Sequence, residues 1–346
     1  MFSYQRGGDW SATRAAMLDL MPTDSSSILF ADVAEVRNSA FAAEFYKWAP
    51  QPRIDPEYAR FLHDTGFDYE RDLDRVAIAV MKRGSDTTVF AVADGRFDRK
   101  KIEACASQSG TFVNRRGRPI FSIPLSASAR KMSLAFLRDD RMALTEGADL
   151  AALLSPPAKG EDARQWRERF ERLAGSPVFA VIRQDAAADS ALASEAPGGL
   201  QSPQLAALLH QLLWITLAGK PEGDQLRVVV EGECGQDRTA RQLADLLNGM
   251  LVLAQAGLNG PDTRRQLDPQ ARDAYIEILR GTDVSRIDRG ETKSVRLIFN
   301  VPPKLLDAAK AMVPTSSVPS SVPANSTSAP ASTDRKSHAA RAKSHK

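Results

Sequence analysis

Val76-Ala77-Ile78-Ala79-Val80, then Arg83-Gly84-Ser85-Asp86, then Thr88-Val89-Phe90-Ala91-Val92-Ala93: residues 76–93 are an apolar β-rich run, a turn and a second such run. Such a pattern predicts a β-hairpin. Asp98 follows where a helix N-cap belongs, and the helix runs through Ile102 and Cys105 to Gly110. Upstream, Ile28–Val33 reads as a strand. Asn38 or Ser39 caps a helix through Phe41, Phe45 and Trp48 that Pro50 and Pro52 end, and another helix runs from Pro56 to Asp64 and stops at Gly66. A short helix over Ser11–Met21 precedes them. Downstream come two more hairpins. Thr111–Asn114 and Pro119–Ile123 turn at Arg116-Gly117, and Met132–Leu137 and Arg141–Thr145 turn at Asp139-Asp140. A helix opens at Asp149, and Pro156-Pro157 closes the unit.

After a charged helix over Asp162–Leu173 the order begins again. Pro177–Ile182 matches the opening strand, a helix follows from Pro203, and Leu212–Ala218 and Leu226–Val230 form a hairpin over Lys220–Gly223. Asp237-Arg238 opens a helix to about Ala256, as Asp98-Arg99 does in the first half. Val284–Ile287 and Ser294–Phe299 turn at Arg289-Gly290, and Pro302–Met312 is the last helix. This order predicts an α+β protein with two tandem related domains, each a mainly antiparallel sheet with helices packed on one face. The boundaries are 1–26 for an N-terminal extension, 27–157 and 158–313 for the domains, and 314–346 for a tail. That tail is rich in Ser, Pro, Thr and Ala without aromatics, so it reads as disordered.

Apolar residues are 43% and charged residues 26%, a soluble globular balance. The formal charge is +3, but residues 334–346 carry Arg335, Lys336, Arg341, Lys343 and Lys346 against Asp334. That surplus of four leaves the rest of the chain one net negative, so the folded part gives no reason to expect nucleic acid. The polycationic tail favours an anionic surface or a protein partner. The longest apolar stretch, Leu205–Gly219, is broken by His210 and Gln211 and is too short to span a bilayer. No apolar leader is visible at the N-terminus. Cys105 and Cys234 form no CxxC pair and read as buried thiols, with a single bridge the alternative.

Gly66-Phe67-Asp68-Tyr69-Glu70-Arg71-Asp72-Leu73-Asp74-Arg75-Val76, followed by Gly95-Arg96-Phe97-Asp98, resembles a group of bacterial proteins of unknown function that repeat GFDxxxDLDxV and then GRFD before a helix. The resemblance covers about residues 27–155. Members often begin with an export signal or lipoprotein-like leader. The expected compartment is therefore cytoplasmic as the sequence stands, and the envelope or periplasm if the true start lies upstream. The group brings no activity, so no catalytic residue is carried over.

Candidate chemistry is sparse. Asp68, Glu70, Asp72 and Asp74 alternate as calcium-loop oxygens do, but the loop's glycine and closing glutamate are missing. A turn whose acids accept backbone N–H groups is the plainer reading. Arg96, Arg99, Lys100, Lys101, Arg115, Arg116 and Arg118 cluster near one helix start and one hairpin tip, and would bind an anion if they share a face. Ser128 and Lys131 match S-x-x-K without its partner motifs. His63 and His210 are solitary, with His210 expected to be partly buried, so no metal site and no cofactor are expected. The apolar helix Leu243–Leu258 is expected to pack on its own sheet, with a homodimer interface as the alternative. Together these readings predict a non-catalytic binding or scaffolding protein. A hydrolase with its site in an inter-domain cleft and tail-mediated nucleic-acid binding are the alternatives.

Overall fold

A computed structural model describes residues 12–48, 56–83, 86–115, 117–124, 131–154, 160–184, 203–290 and 292–305. The tail 314–346 and most of the predicted last helix lie outside them.

Aspartates and hydroxyls punctuate the chain. Helix α1 (Ala12–Leu18) precedes strand β1 (Ser27–Asp32), and the Asp32 carboxylate accepts the Glu35 N–H at 3.1 Å to start helix α2 (Val33–Arg37). The Ser39 hydroxyl accepts the Ala42 N–H at 3.1 Å and starts α3 (Ala40–Trp48). Helices α4 (Pro56–Thr65) and α5 (Tyr69–Asp72) lead into β2 (Leu73–Arg83). The hairpin expected over residues 76–93 is present, with β2 paired to β3 (Asp86–Gly95) from Leu73↔Gly95 to Arg83↔Asp86. Helix α6 (Arg99–Ser109) is capped by Asp98, and β4 (Thr111–Arg115), β5 (Arg118–Pro124), β6 (Lys131–Arg138) and β7 (Arg141–Glu146) follow. Then come α7 (Leu150–Leu153), α8 (Glu161–Arg172), β8 (Val178–Arg183), α9 (Pro203–Leu209), β9 (Leu212–Glu222) and β10 (Gln225–Cys234). The chain continues through α10 (Asp237–Leu258), α11 (Pro261–Gln266), α12 (Pro269–Gly281), β11 (Asp283–Arg289) and β12 (Thr292–Val301).

The strands form one twelve-stranded sheet in the order β11-β12-β10-β9-β8-β1-β2-β3-β7-β6-β5-β4, antiparallel throughout. This corrects the expectation of a separate sheet in each half. The two opening strands, β1 and β8, pair with each other from Ser27↔Ile182 to Ala31↔Val178. The physical reason is that an opening strand left as an edge would expose unpaired backbone beside apolar side chains, and joining the edges removes both costs.

The helices lie on both faces of the sheet, which corrects the one-face expectation. Strand residues alternate between faces. On one face Ile28, Phe30, Ala77, Ala79, Phe90, Val92, Ala143, Phe179, Val181, Trp214 and Ala218 form a single core with Met17 and Leu18 of α1, Leu150 of α7 and Trp166 and Phe170 of α8. That core crosses the β1–β8 seam. On the other face the cover is split. Ile102 and Ala106 of α6 and Phe61 of α4 pack on Ala93, Phe121, Leu134, Phe136 and Met142. Leu205 of α9 and Ala240, Leu243 and Ala244 of α10 pack on Leu212, Cys234 and Val295.

Candidate functional site

Between those two helix groups the split face keeps a strip of sheet that is apolar and partly open. Cross-strand partners place Ala91, Ile78, Leu29, Ala180, Leu217 and Val230 in one row over β3, β2, β1, β8, β9 and β10. The flanking rows hold Val89, Val80, Ser27, Ile182, Ile215 and Gly232 on one side, and Ala93, Val76, Ala31, Val178, Gly219 and Val228 on the other. Ser27 is the sole member of the three rows that is neither apolar nor glycine. Leu29 remains 41% exposed and Leu217 40%, and Leu213 at the end of β9 is 51% exposed. A sheet face with β-branched and leucine side chains in contact with solvent, and no charge in the strip, is a surface that gains by being covered.

The covered face has the opposite character: it holds buried charge. Asp94 and Arg141 are direct cross-strand partners on β3 and β7, and two guanidinium N–H groups donate to the carboxylate, Nη2 to Oδ2 at 2.7 Å. The Asp94 hydrogen bond raises the Arg141 pKa against the lowering effect of burial. Glu231 and Arg296 occupy the matching place in the second half, direct partners on β10 and β12 with Arg296 Nη2 3.0 Å from Oε2. Arg289 also donates to Glu231, at 2.9 Å through Nη2. Burial pushes the Glu231 carboxyl up, but Arg289 and Arg296 outweigh it and hold the group below the usual glutamate range. Two residues along, the Glu233 side chain is 1% exposed and accepts from Arg169 and Arg172 of α8. Burial pulls the Arg169 guanidinium down more than Glu233 raises it, and it lies 4.0 Å above the Trp214 ring. The carboxylates are saturated with guanidinium donors, an arrangement that braces α8 on the sheet and gives no acid or base poised to exchange a proton.

The candidates singled out in the sequence fall elsewhere. Asp68 caps α5, accepting the Glu70 N–H at 3.0 Å, and Asp72 accepts the Asp68 N–H at 3.1 Å, so these two acids serve turns. Asp72 is held at about 2, first by the Arg71 hydrogen bond, with burial acting against it. The two stretches that carry the family resemblance fold against each other. Arg96 N–H donates to the Asp72 carbonyl at 2.9 Å, the Phe67 and Phe97 rings lie 5.0 Å apart, and a Cβ on Gly95 would meet the Asp72 carbonyl at 2.5 Å. Gly95 is therefore dictated by close backbone approach.

Of the basic cluster, Arg96 lies 3.4 Å from Asp72, Arg99 reaches Glu103 at 2.8 Å and Asp139 at 3.1 Å, and Lys101 lies 3.4 Å from Asp98. Lys100 is exposed at the start of α6, and Arg115 and Arg118 face each other across the β4–β5 turn. The antiparallel registers put that turn at the same end of the sheet as the Asp139–Asp140 turn that Arg99 reaches. Arg116 and Ser128 lie outside the described residues, and Lys131 opens β6. His63 is exposed beside Asp64, and His210 is exposed at the end of α9, where partial burial was expected. Cys105 and Cys234 are both free thiols, so no bridge joins them. A groove of about 620 Å³ runs beside α8, lined by Gly160, Ala163, Arg164, Arg167, Glu168 and Glu171; Arg164 pairs with Glu161 and Arg167 with Asp19. Among the described residues no group of acids, histidines and cysteines is placed to hold a metal ion, and no helix is long and apolar enough to cross a membrane.

No family model and no curated protein matches the chain. Solved structures similar to it include crystal forms I, III and IV of TP0453, each at 10% identity and a TM-score of 0.45. The match covers 85%, 85% and 88% of this chain and 96%, 98% and 100% of those chains, respectively.

Sequence reasoning missed the open strip. Its strands read as apolar on both faces, which is the signature of full burial. No local signal marks it, because which stretch of sheet a helix covers is set by the tertiary arrangement and not by the strand's own residues.

Proposed function

We propose that this chain is a non-catalytic binding protein that takes an apolar, uncharged partner on the open strip centred on Leu29, Ala180 and Leu217. The carrying observation is the pairing of that row across the β1–β8 seam with Leu29 and Leu217 each about two-fifths exposed. Covering those leucines gains about 25 cal/mol for each Å² of apolar area removed from water. The absence of charge in the strip means that no desolvation penalty opposes an apolar partner there, whereas a charged one would lose hydration without compensation. The ion pairs on the opposite face hold α8 there, so the charge of this region is gathered on the other side of the sheet from the strip.

Nile red titration tests it. The dye is expected to bind the wild-type chain, and Leu217→Lys and Leu29→Lys are each expected to weaken binding about tenfold while the thermal midpoint stays near wild type. Equal binding by both variants would remove the strip as the site.

A further inference from the structure

The sheet has two outer strands, and they differ in kind. β11 carries charges of both signs, with Asp288 held by Lys293 at 2.6 Å, as edges that resist further pairing do. β4 is exposed at every residue, with Phe112 at 61% and Val113 at 53%. Its two apolar side chains are sequence neighbours and so stand on opposite faces of the sheet, both in solvent. The charges of its own hairpin have one sign. No acid occurs between Glu103 and Asp139, while Arg115 and Arg118 flank the turn that joins β4 to β5.

The register shows which backbone groups are free to recruit a strand. Arg115 and Arg118 close a two-residue turn and so form a hydrogen-bonded pair, and antiparallel pairs alternate from there. Val113 with Ile120 and Thr111 with Ser122 are then bonded pairs, and Phe112 and Asn114 turn their N–H and C=O groups off the open edge. Pro119, which has no N–H to donate, sits opposite Asn114 at a position where β5 owes β4 no bond.

The geometry points to β4 as a docking edge for an extended acidic segment of another protein. Its main chain would bond to Phe112 and Asn114, its apolar side chains would cover Phe112 on one face, and its carboxylates would meet Arg115 and Arg118 on the other. A second copy of β4 is a poorer occupant, because two acid-free basic hairpins would be brought side by side.

Fluorescence anisotropy on the full chain tests this with a labelled alternating Val-Glu octapeptide and its Val-Lys counterpart. The acidic peptide is expected to bind and the basic one not. Asn114→Pro removes an outward N–H without taking a bond from β5, and it is expected to weaken the acidic peptide by about tenfold or more with an unchanged thermal midpoint. Phe112→Ser, which alters no backbone group, and the double variant Arg115→Glu/Arg118→Glu are expected to weaken it comparably. Failure of the acidic peptide to bind overturns the proposal. So does equal binding by Asn114→Pro and Phe112→Ser, which would reduce the effect to general attraction by basic groups. Tighter binding of labelled oligo-dT, lost in Phe112→Ser, would assign the edge to nucleic acid and also overturn it.

Discussion

Phe30 of β1 stacks on Phe179 of β8, ring centroids 5.1 Å apart and planes at 24°, and the two residues are direct partners across the seam of the sheet. Each is 1% exposed, and Phe170 of α8 lies 6.0 Å from Phe179. The pair therefore ties the halves together in the middle of their shared core.

Because the core is shared, the halves are expected to unfold together. Phe30→Ala should cost about 3–5 kcal/mol in urea unfolding, and a Phe30/Phe179 double-mutant cycle should show coupling of about 0.5–1.5 kcal/mol. Two separate transitions, with one unmoved by Phe30→Ala, would contradict a shared core.

The buried carboxylates and the surface ion pairs should behave differently. Glu233→Ala strands Arg169 in the core and should cost about 3–5 kcal/mol, as should Asp94→Ala, which strands Arg141. Glu161→Ala breaks a pair whose side chains are 58% and 67% exposed, and it should change stability by less than about 1 kcal/mol. Chemical denaturation of the three variants checks the ranking.

Acid should weaken the joint between the two motif stretches. Asp72 has its carboxyl lowered from 3.8 to about 2, so the unfolded chain binds the proton more readily than the folded one. Its contribution is complete above about pH 4 and is lost as pH falls through about 2. The stability gap between wild type and Asp72→Asn should therefore shrink from pH 5 to pH 2. A gap that stays constant over that range would show that the carboxylate charge contributes nothing.

The thiols should be sluggish. Burial first, then the Glu233 charge, pushes Cys234 to about 11, and burial with Asp64 raises Cys105. At pH 8 the native chain is expected to react slowly with Ellman's reagent at both thiols, and Cys234 only after unfolding. Fast labelling of Cys234 in the native state would place it outside the α10 packing that buries it.

What could be read from the sequence was local. The residue 76–93 hairpin announces itself by two β-branched runs around Arg83–Asp86, and the caps at Asp98 and Asp149 sit where short acceptor side chains belong. The pairing of β1 with β8 was hidden, because partners about 150 residues apart leave no mark in either segment. Helices α11 and α12 were missed although Asp268-Pro269 is a cap followed by a proline at the first helical position, and the Asp268 carboxylate does accept from Gln270 and Ala271. The anion cluster read from Arg96–Arg118 separates into residues beside acids at the start of α6 and a basic hairpin tip, a division that depends on where Asp72, Asp98 and Asp139 come to lie. The long helix was half legible: Leu243 and Ala244 pack on the sheet, while Val252 and Leu253 are 65% and 72% exposed.

The β1–β8 seam also sets an order of events during synthesis. β1 emerges before its sheet partner β2, which can pair with it within some fifty residues. Its other edge must wait until Arg183 has left the exit tunnel, so a nascent chain carries a hydrophobic strand edge open to any neighbour while about 150 further residues are added. Chains stalled before Pro177 should therefore aggregate or hold a chaperone, and chains stalled well past Gly219, with β8 and β9 both free to pair, should not. Ribosome-bound length series, probed by crosslinking from β1, would date the moment at which the seam closes.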